Sequence, residues 1–274
     1  MSIEQPSDVD ATGLYLLFAR GKRPDRAAIK EFVSEQRGVT LSHDPADGPS
    51  LHLATEDGET LQGCTTTENP ADDLVWLELL RNGLTFDLCG LEPGGASRFP
   101  QVEHRFDLER LPGAAHYDAV HLAPGHHLTG GERTLPVVKA MIALARDLVH
   151  HFDALEAVVW PASQSAIGRR FFESVTTAWL DGGPFPALGL TAFRETIDGA
   201  IQSTGLDFWI GQELRIEQPL SSDKVSATRL GVRLVNQLIA VGGIEGDERI
   251  VAPDGSRLLL RTSRNGRFIR VSRE

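Results

Sequence analysis

Residues 117–162 constrain the fold most, because they predict a strand, a loop, a long helix and a second strand in succession. The apolar run over residues 119–123 stops at a Pro-Gly pair, as a strand that ends in a turn does. Residues 134–152 then carry apolar side chains at helical spacing. The nearly continuous apolar run at residues 155–160 is typical of a strand that is covered on both faces.

This order of elements predicts a βαβ crossover, which places the carboxyl ends of two parallel strands at one sheet edge. Ligands of open α/β sheets tend to bind at such an edge. The loops over residues 124–128 and 161–165 are therefore expected to lie near each other. The candidate ligand-binding residues in and before these loops are His121, His126, His127, Ser163, Gln164 and Ser165.

The first half of the chain predicts a ferredoxin-like arrangement. Its expected elements are a strand at 13–19, a helix from Pro24 to Gly38, strands at 50–55 and 60–66, a helix from Pro70 to Asn82, and a strand at 84–91. The acidic Asp57-Gly58 pair between the two middle strands is a hairpin signal. The order βαββαβ is the split βαβ arrangement of ferredoxin-like folds.

The predicted fold class is therefore α+β, with two halves of mixed or antiparallel sheet flanked by helices. The expected segments are a disordered tail (1–12), a ferredoxin-like half (13–93), a connector rich in Pro, Gly and charge (94–115), and a half built on the βαβ unit (116–274). The sequence leaves open whether the two halves pack as one domain. In the second half, Asp223 is expected to cap a helix, and Asp254-Gly255 and Asn265-Gly266 predict hairpin turns.

Net charge and cysteine content limit the partners and the cellular compartment that are expected for this protein. The net charge of −11 argues against nucleic acid as a partner of the whole chain. The two cysteines, Cys64 and Cys89, argue against a disulfide scaffold and are expected to be free thiols in a reducing cytoplasm. The first residues have no apolar signal core, and no apolar run is long enough to cross a membrane. A cytoplasmic protein is therefore expected.

Three short motifs carry a resemblance to a known family. They are residues 157–160 (AVVW), 203–206 (STGL) and 211–214 (GQEL), which precede a helix and a terminal hairpin. In this order they resemble the bacterial domain-of-unknown-function family 4261, over roughly the second half of the chain. The resemblance implies a bacterial α+β protein, and it implies neither an activity nor catalytic residues.

The candidate residues at the sheet edge admit both a structural and a chemical interpretation. Histidine is the commonest metal ligand and titrates near neutral pH, but His121, His126 and His127 lack the spacing of a recognised metal site. A solvated loop is the simpler interpretation, and no metal or cofactor is predicted. Ser163 and Ser165 are expected to cap the next helix, and the N–H groups there could alternatively bind an anion.

The C-terminal segment from Arg249 to Arg273 has seven arginines and one acidic residue, Asp254. The candidate interaction residues are Arg257, Arg261, Arg264, Arg267 and Arg270. These arginines are expected to form a basic face on the last hairpin. That face either pairs with acidic surface, including that of a second copy, or binds an acidic or phosphate-rich partner.

Two main functions follow from these observations, and a third remains open. The first is a binding or protein-interaction module without catalysis, because no intact catalytic constellation is seen; its partner is another protein or a small anionic ligand. The alternative is a small-molecule hydrolase or a metal- or anion-binding enzyme that uses the loop from His121 to His127 and the turn from Ser163 to Ser165. It requires histidine and serine to meet within hydrogen-bond reach. A structural subunit of an assembly is the third.

Overall fold

The computed structural model describes residues 13–47, 75–252 and 254–274, which form two mixed β-sheets and six helices. The predicted α+β class is confirmed. The first sheet contains β1 (Leu14–Ala19), β2 (Val39–His43), β3 (Val75–Arg81), β4 (Leu84–Leu91), β5 (His104–Phe106), β6 (Tyr117–Pro124), β7 (Leu155–Trp160) and β8 (Ser165–Gly168). The second contains β9 (Ala192–Glu195), β10 (Ile201–Thr204), β11 (Glu213–Ile216), β12 (Glu248–Val251), β13 (Arg257–Thr262) and β14 (Phe268–Arg273). The helices are α1 (Arg26–Glu35), α2 (Leu135–His151), α3 (Arg169–Leu180), α4 (Ala187–Leu190), α5 (Asp207–Ile210) and α6 (Lys224–Val241).

The predicted strand-helix-strand unit is confirmed as β6, α2 and β7. The strand order in the first sheet is β2-β3-β4-β6-β1-β7-β8-β5, so β1 lies between the two strands of the unit. Because β1 is antiparallel to both β6 and β7, those two strands are parallel to each other. Their carboxyl ends, and the two candidate loops, therefore lie at the same edge of the sheet.

The ferredoxin-like order of the first half is not confirmed. Residues 75–81 form the strand β3, whereas the sequence predicted a helix that ended at Asn82. Asn82 and Gly83 have φ values of 52° and 78°, and the type I′ hairpin turn requires positive φ at both of its central positions. The pair therefore joins β3 to β4 and does not end a helix. The strands predicted at 50–55 and 60–66, and the tail 1–12, lie outside the described residues.

Gly83→Ala is expected to lower the free energy of unfolding by about 1 kcal/mol, because an L-residue at positive φ is strained. The added methyl group would meet no other atom, so backbone strain is the only cause. The control is Asn82→Gly, which relieves the same conformation and is expected to change stability by less than about 0.5 kcal/mol. Urea denaturation of both variants makes the comparison. Equal stability of Gly83→Ala and wild type would show that the turn is not held in this conformation.

The second sheet has the strand order β12-β13-β14-β11-β10-β9, with only the β11–β14 pair parallel. The hairpin turns around Gly255 and Gly266 lie where the sequence predicted them. Helix α6 packs against β10 and β11 and covers one face of this sheet. Asp223 caps α6 as predicted, by accepting a hydrogen bond from the Val225 N–H.

One apolar core joins the two sheets. Leu16 of β1, Trp160 of β7, Leu214 of β11 and Val235 of α6 belong to the same cluster of buried side chains. The opposite face of the first sheet holds a smaller cluster, to which the predicted connector 94–115 contributes Val102. The connector also contributes β5, which pairs with β8. The first sheet thus takes strands from both sides of the predicted connector and from the connector itself.

The prediction of free thiols is wrong for Cys89. This residue lies buried in β4 and is disulfide-bonded. Cys64 lies outside the described residues. Cysteine content therefore does not indicate a reducing compartment for this protein.

Candidate functional site

The two histidines of the first candidate loop are close together and exposed. His126 and His127 form a single 3₁₀ turn directly after β6, and their ring centroids are 3.7 Å apart. His121 lies inside β6 and stacks on the ring of Tyr15, at a centroid distance of 4.4 Å. The strand thus separates His121 from the exposed pair.

The serines of the second candidate loop are buried and bonded internally. The Ser163 hydroxyl donates to the Gly189 carbonyl (2.7 Å) and lies 2.8 Å from the Ser165 hydroxyl. Gln164 has a φ of 52°, and its carbonyl accepts from the His104 N–H at 3.0 Å. These serines do not cap α3 as predicted, since the strand β8 intervenes and Gly168 occupies the cap position.

The two loops share a sheet edge but do not form one constellation. Among the described residues, no hydrogen bond joins Ser163 or Ser165 to His126 or His127. Ser165 lies in register with Trp160 of β7 on one side and with His104 of β5 on the other, and the sequence did not single out His104. Its Nε2 atom is buried without a hydrogen-bond partner, and burial lowers the pKa of its imidazole.

A pair of buried carboxyl groups lies on the neighbouring strands. Glu78 of β3 faces Asp87 of β4, and each residue is 9% exposed. Burial, and then the charge of Glu78, raise the pKa of Asp87 to about 6, while the nearby charge of His127 opposes the shift. Within the described parts of the chain, no three His, Cys, Asp or Glu side chains group closely enough to hold a metal ion.

The motifs at 203–206 and 211–214 meet around one carboxyl group. Glu213 accepts hydrogen bonds from the Ser203 hydroxyl and from the Gly205 N–H (2.7 Å), and the Ser203 oxygen accepts from the Leu214 N–H (2.7 Å). Burial is the main cause that raises the pKa of Glu213 to about 7, and Asp207 raises it further. These contacts hold β10 to β11, so the residues of both motifs have a structural role.

Gln212 and Gly205, from the same two motifs, contact neighbouring loops and so also have a structural role. The Gln212 amide donates to the carbonyls of Ile244 and Gly266, each at 3.1 Å, and so fastens two loops of the second sheet. Gly205 lies against the turn after β7: a Cβ atom there would be 2.7 Å from the Ala162 oxygen and 2.8 Å from the Ser163 Cα atom. The two sheets therefore approach each other closely at Gly205.

Four arginines form a row across the second sheet, on the face opposite α6. Arg261 of β13 pairs in register with Arg270 of β14, and Arg270 pairs with Arg215 of β11. The next strand, β10, places Gln202 opposite Arg215, and Arg194 of β9 follows opposite Gln202. Since neighbours of these residues, such as Leu260 and Val271, are buried, the arginines face away from the core. We call Arg194, Arg215, Arg261 and Arg270 the arginine row.

Carboxylates lie beside three members of the row. Arg215 forms ion pairs with Asp198 and Glu217, Arg270 lies 3.7 Å from Glu217, and Arg261 lies 3.0 Å from Asp247. The side chains of Arg261 and Arg270 remain 61% and 58% exposed.

The other predicted arginines surround the row. Arg257 is exposed at the start of β13, two positions before Leu259 on the same face as Arg261. Arg264 and Arg267 are exposed in the turn between β13 and β14. Arg194 and Arg215 were not singled out from the sequence, because only the strand register reveals that they join the row.

No helix in the described part of the chain has the length and apolarity that a membrane crossing requires. Comparisons of the chain with protein-family models, with curated proteins and with solved structures found no match. The resemblance to the domain-of-unknown-function family 4261 therefore stays a prediction.

Proposed function

We propose that this protein is an interaction module without catalysis, and that it binds an acidic segment of a partner protein on the arginine row. The observation that supports the proposal is the strand register, which aligns Arg194, Arg215, Arg270 and Arg261 on one open face. Guanidinium groups form paired, charge-assisted hydrogen bonds with carboxylates, so a row of them suits a row of acidic side chains.

The dimensions of the row favour an extended segment. From β9 to β13 it spans four strand spacings, or about 19 Å at ~4.8 Å per spacing. An extended segment of roughly six residues has that length. Acidic side chains at alternate positions of such a segment would point at the row.

The local charge also favours an acidic partner. Four arginines face three carboxylates, Asp198, Glu217 and Asp247, which leaves one positive charge in excess in a chain with a net charge of −11. The ion pair of Arg261 with Asp247 is exposed, and such pairs contribute only about 0–1 kcal/mol, so a partner's carboxylate can replace it at little cost. The Arg215 side chain is only 15% exposed and keeps its pairs with Asp198 and Glu217. Nucleic acid fits less well, because the rest of the acidic surface would repel its phosphates.

A fluorescein-labelled peptide with alternating Glu and Ala residues tests the proposal by fluorescence polarisation. We expect binding that weakens as salt is added, because the Debye length falls to ~8 Å at physiological ionic strength. The variant Arg261→Glu/Arg270→Glu is expected to bind at least about tenfold more weakly, a loss of ~1.4 kcal/mol. Labelled single-stranded DNA serves as the competing ligand.

The control is Arg170→Glu, at an exposed arginine of α3, a helix that packs on β7 and β8 of the first sheet. This substitution makes the protein more acidic but leaves every arginine of the arginine row in place. Equal binding of the peptide by wild type and the row variant would refute the proposal. Tighter binding of the DNA than of the peptide would instead identify a nucleic-acid surface.

A further inference from the structure

We propose that a cleft beside α6 binds a small phosphate-bearing molecule, at a site separate from the arginine row. The cleft has a volume of about 520 Å³ and lies between the first half of α6, the end of β14 and the turn that joins β12 to β13. We call it the α6 cleft. Its volume is in the range of ~300–1,000 Å³ that is usual for small-molecule sites.

Three arginines from two elements converge on the α6 cleft. Arg229 and Arg233 are four positions apart on α6 and so lie on the same side of that helix, one turn apart. Arg273 reaches the cleft from the end of β14. Within the described residues, none of these three guanidinium groups lies within 4.0 Å of a carboxylate oxygen. They remain available to an anion, and a phosphate group accepts hydrogen bonds from several guanidinium groups at once.

The two carboxylates in the cleft are hydrogen-bonded mainly by other groups. The hydrogen bond from Ser226 lowers the pKa of Asp223 most and that from Ser256 the pKa of Asp254, and the charges of Arg229 and Arg273 respectively lower these pKa values further. Asp223 accepts from the Val225 N–H (3.0 Å) and the Ser226 hydroxyl (2.6 Å). Asp254 accepts from the N–H (2.9 Å) and the hydroxyl (2.6 Å) of Ser256. Three arginines against two aspartates leave one positive charge in excess.

Apolar side chains in the α6 cleft indicate that the ligand carries an apolar group as well as a phosphate. Leu220, Leu230 and Leu258 line the cleft together with the arginines, and Leu258 is almost fully buried. Inorganic phosphate would leave these side chains uncovered, whereas an organic group attached to the phosphate would cover them and gain by removing apolar area from water. The chemistry therefore favours a phosphate monoester of a small apolar or aromatic group.

The α6 cleft and the arginine row lie on opposite faces of the second sheet. Arg273 follows Val271 at a spacing of two residues, and Val271 is buried beneath α6, so Arg273 belongs to the helix-covered side. Arg270 belongs to the open side. Substitutions in one set of arginines should leave binding at the other unchanged.

Isothermal titration calorimetry with phenyl phosphate tests the site. Wild type is expected to bind phenyl phosphate about tenfold more tightly than inorganic phosphate, because the ring covers the leucines. The variant Arg229→Gln/Arg233→Gln is expected to lose at least about tenfold in affinity for phenyl phosphate, since two charge-assisted contacts are removed. Glutamine is a good helix former, and circular dichroism checks that α6 persists.

Two control variants distinguish binding at the α6 cleft from binding at the arginine row. Arg170→Gln and the row variant Arg261→Glu/Arg270→Glu should both bind phenyl phosphate as wild type does. Conversely, Arg229→Gln/Arg233→Gln should keep its affinity for the acidic peptide. Unchanged phenyl phosphate affinity in Arg229→Gln/Arg233→Gln would overturn the proposal. Equal affinity of wild type for inorganic phosphate would overturn the assignment of a monoester.

Discussion

Gly205→Ala is expected to lower the free energy of unfolding by about 3 kcal/mol or more, the range in which single substitutions become exceptional. Two causes add. Gly205 has a φ of +86°, where an alanine side chain is strained by roughly 1–2 kcal/mol. The added Cβ atom would also lie 2.7 Å from the Ala162 oxygen and 2.8 Å from the Ser163 nitrogen, and these backbone atoms cannot rotate away.

Gly211→Ala separates these two causes. Gly211 has a φ of +73°, but a Cβ atom there would meet nothing within 4 Å. This variant should show the conformational strain alone, about 1 kcal/mol. Guanidinium denaturation of both variants measures the difference. If the two variants lose the same stability, the close approach of the two sheets at Gly205 is not present in solution.

The second large effect is a stability that falls as pH rises from about 4.5 to 7. Glu213 and Asp87 have folded-state pKa values of about 7 and about 6, above their ordinary values of 4.5 and 3.8. In that window the folded state therefore binds more protons than the unfolded state, and the free energy of unfolding decreases with pH. Both residues keep some solvent contact, so we expect a combined contribution on the order of 3 kcal/mol.

The double variant Glu213→Gln/Asp87→Asn tests this effect. Its free energy of unfolding is expected to change less between pH 5 and pH 7.5 than that of wild type, because neither replacement titrates. Glu245→Gln, at an exposed carboxyl group, is the control and should follow wild type. The two variants are compared with wild type because burial also lowers the pKa of His104, which changes the free energy of unfolding with pH in the opposite direction. A wild-type pH dependence that the double variant keeps would contradict the assignment.

Local patterns predicted those elements whose signals lie within one segment. The β6-α2-β7 unit, the cap of α6 and the terminal hairpins all follow from spacing and turn residues in short stretches. Residues 75–81 were predicted wrongly because their apolar side chains fit both a helix and a strand, and an Asn-Gly pair follows either. Pairing of β3 with β2 and β4 decides between them, and that pairing is not visible in the segment itself.

The candidate sites show a similar limit. The sequence placed the loops of His126 and Ser163 at one edge, but it could not show that Ser163 would turn inward to Gly189. Alternation along each strand predicts which arginines share a face. Their alignment into a row depends on the register of five strands, to which residues far apart in the sequence contribute.

The position of β1 in the middle of the first sheet has a consequence for folding during synthesis. Leu16 pairs with Val120 on one side and with Val158 on the other, both more than a hundred positions later. A ribosome must therefore release the chain as far as Pro124, nearly half of its 274 residues, before this central strand acquires its first neighbour. Until then its apolar side chains remain exposed, and contacts of such high sequence separation form slowly. We infer that the nascent chain needs protection from association over its first hundred residues, whatever the mature protein binds.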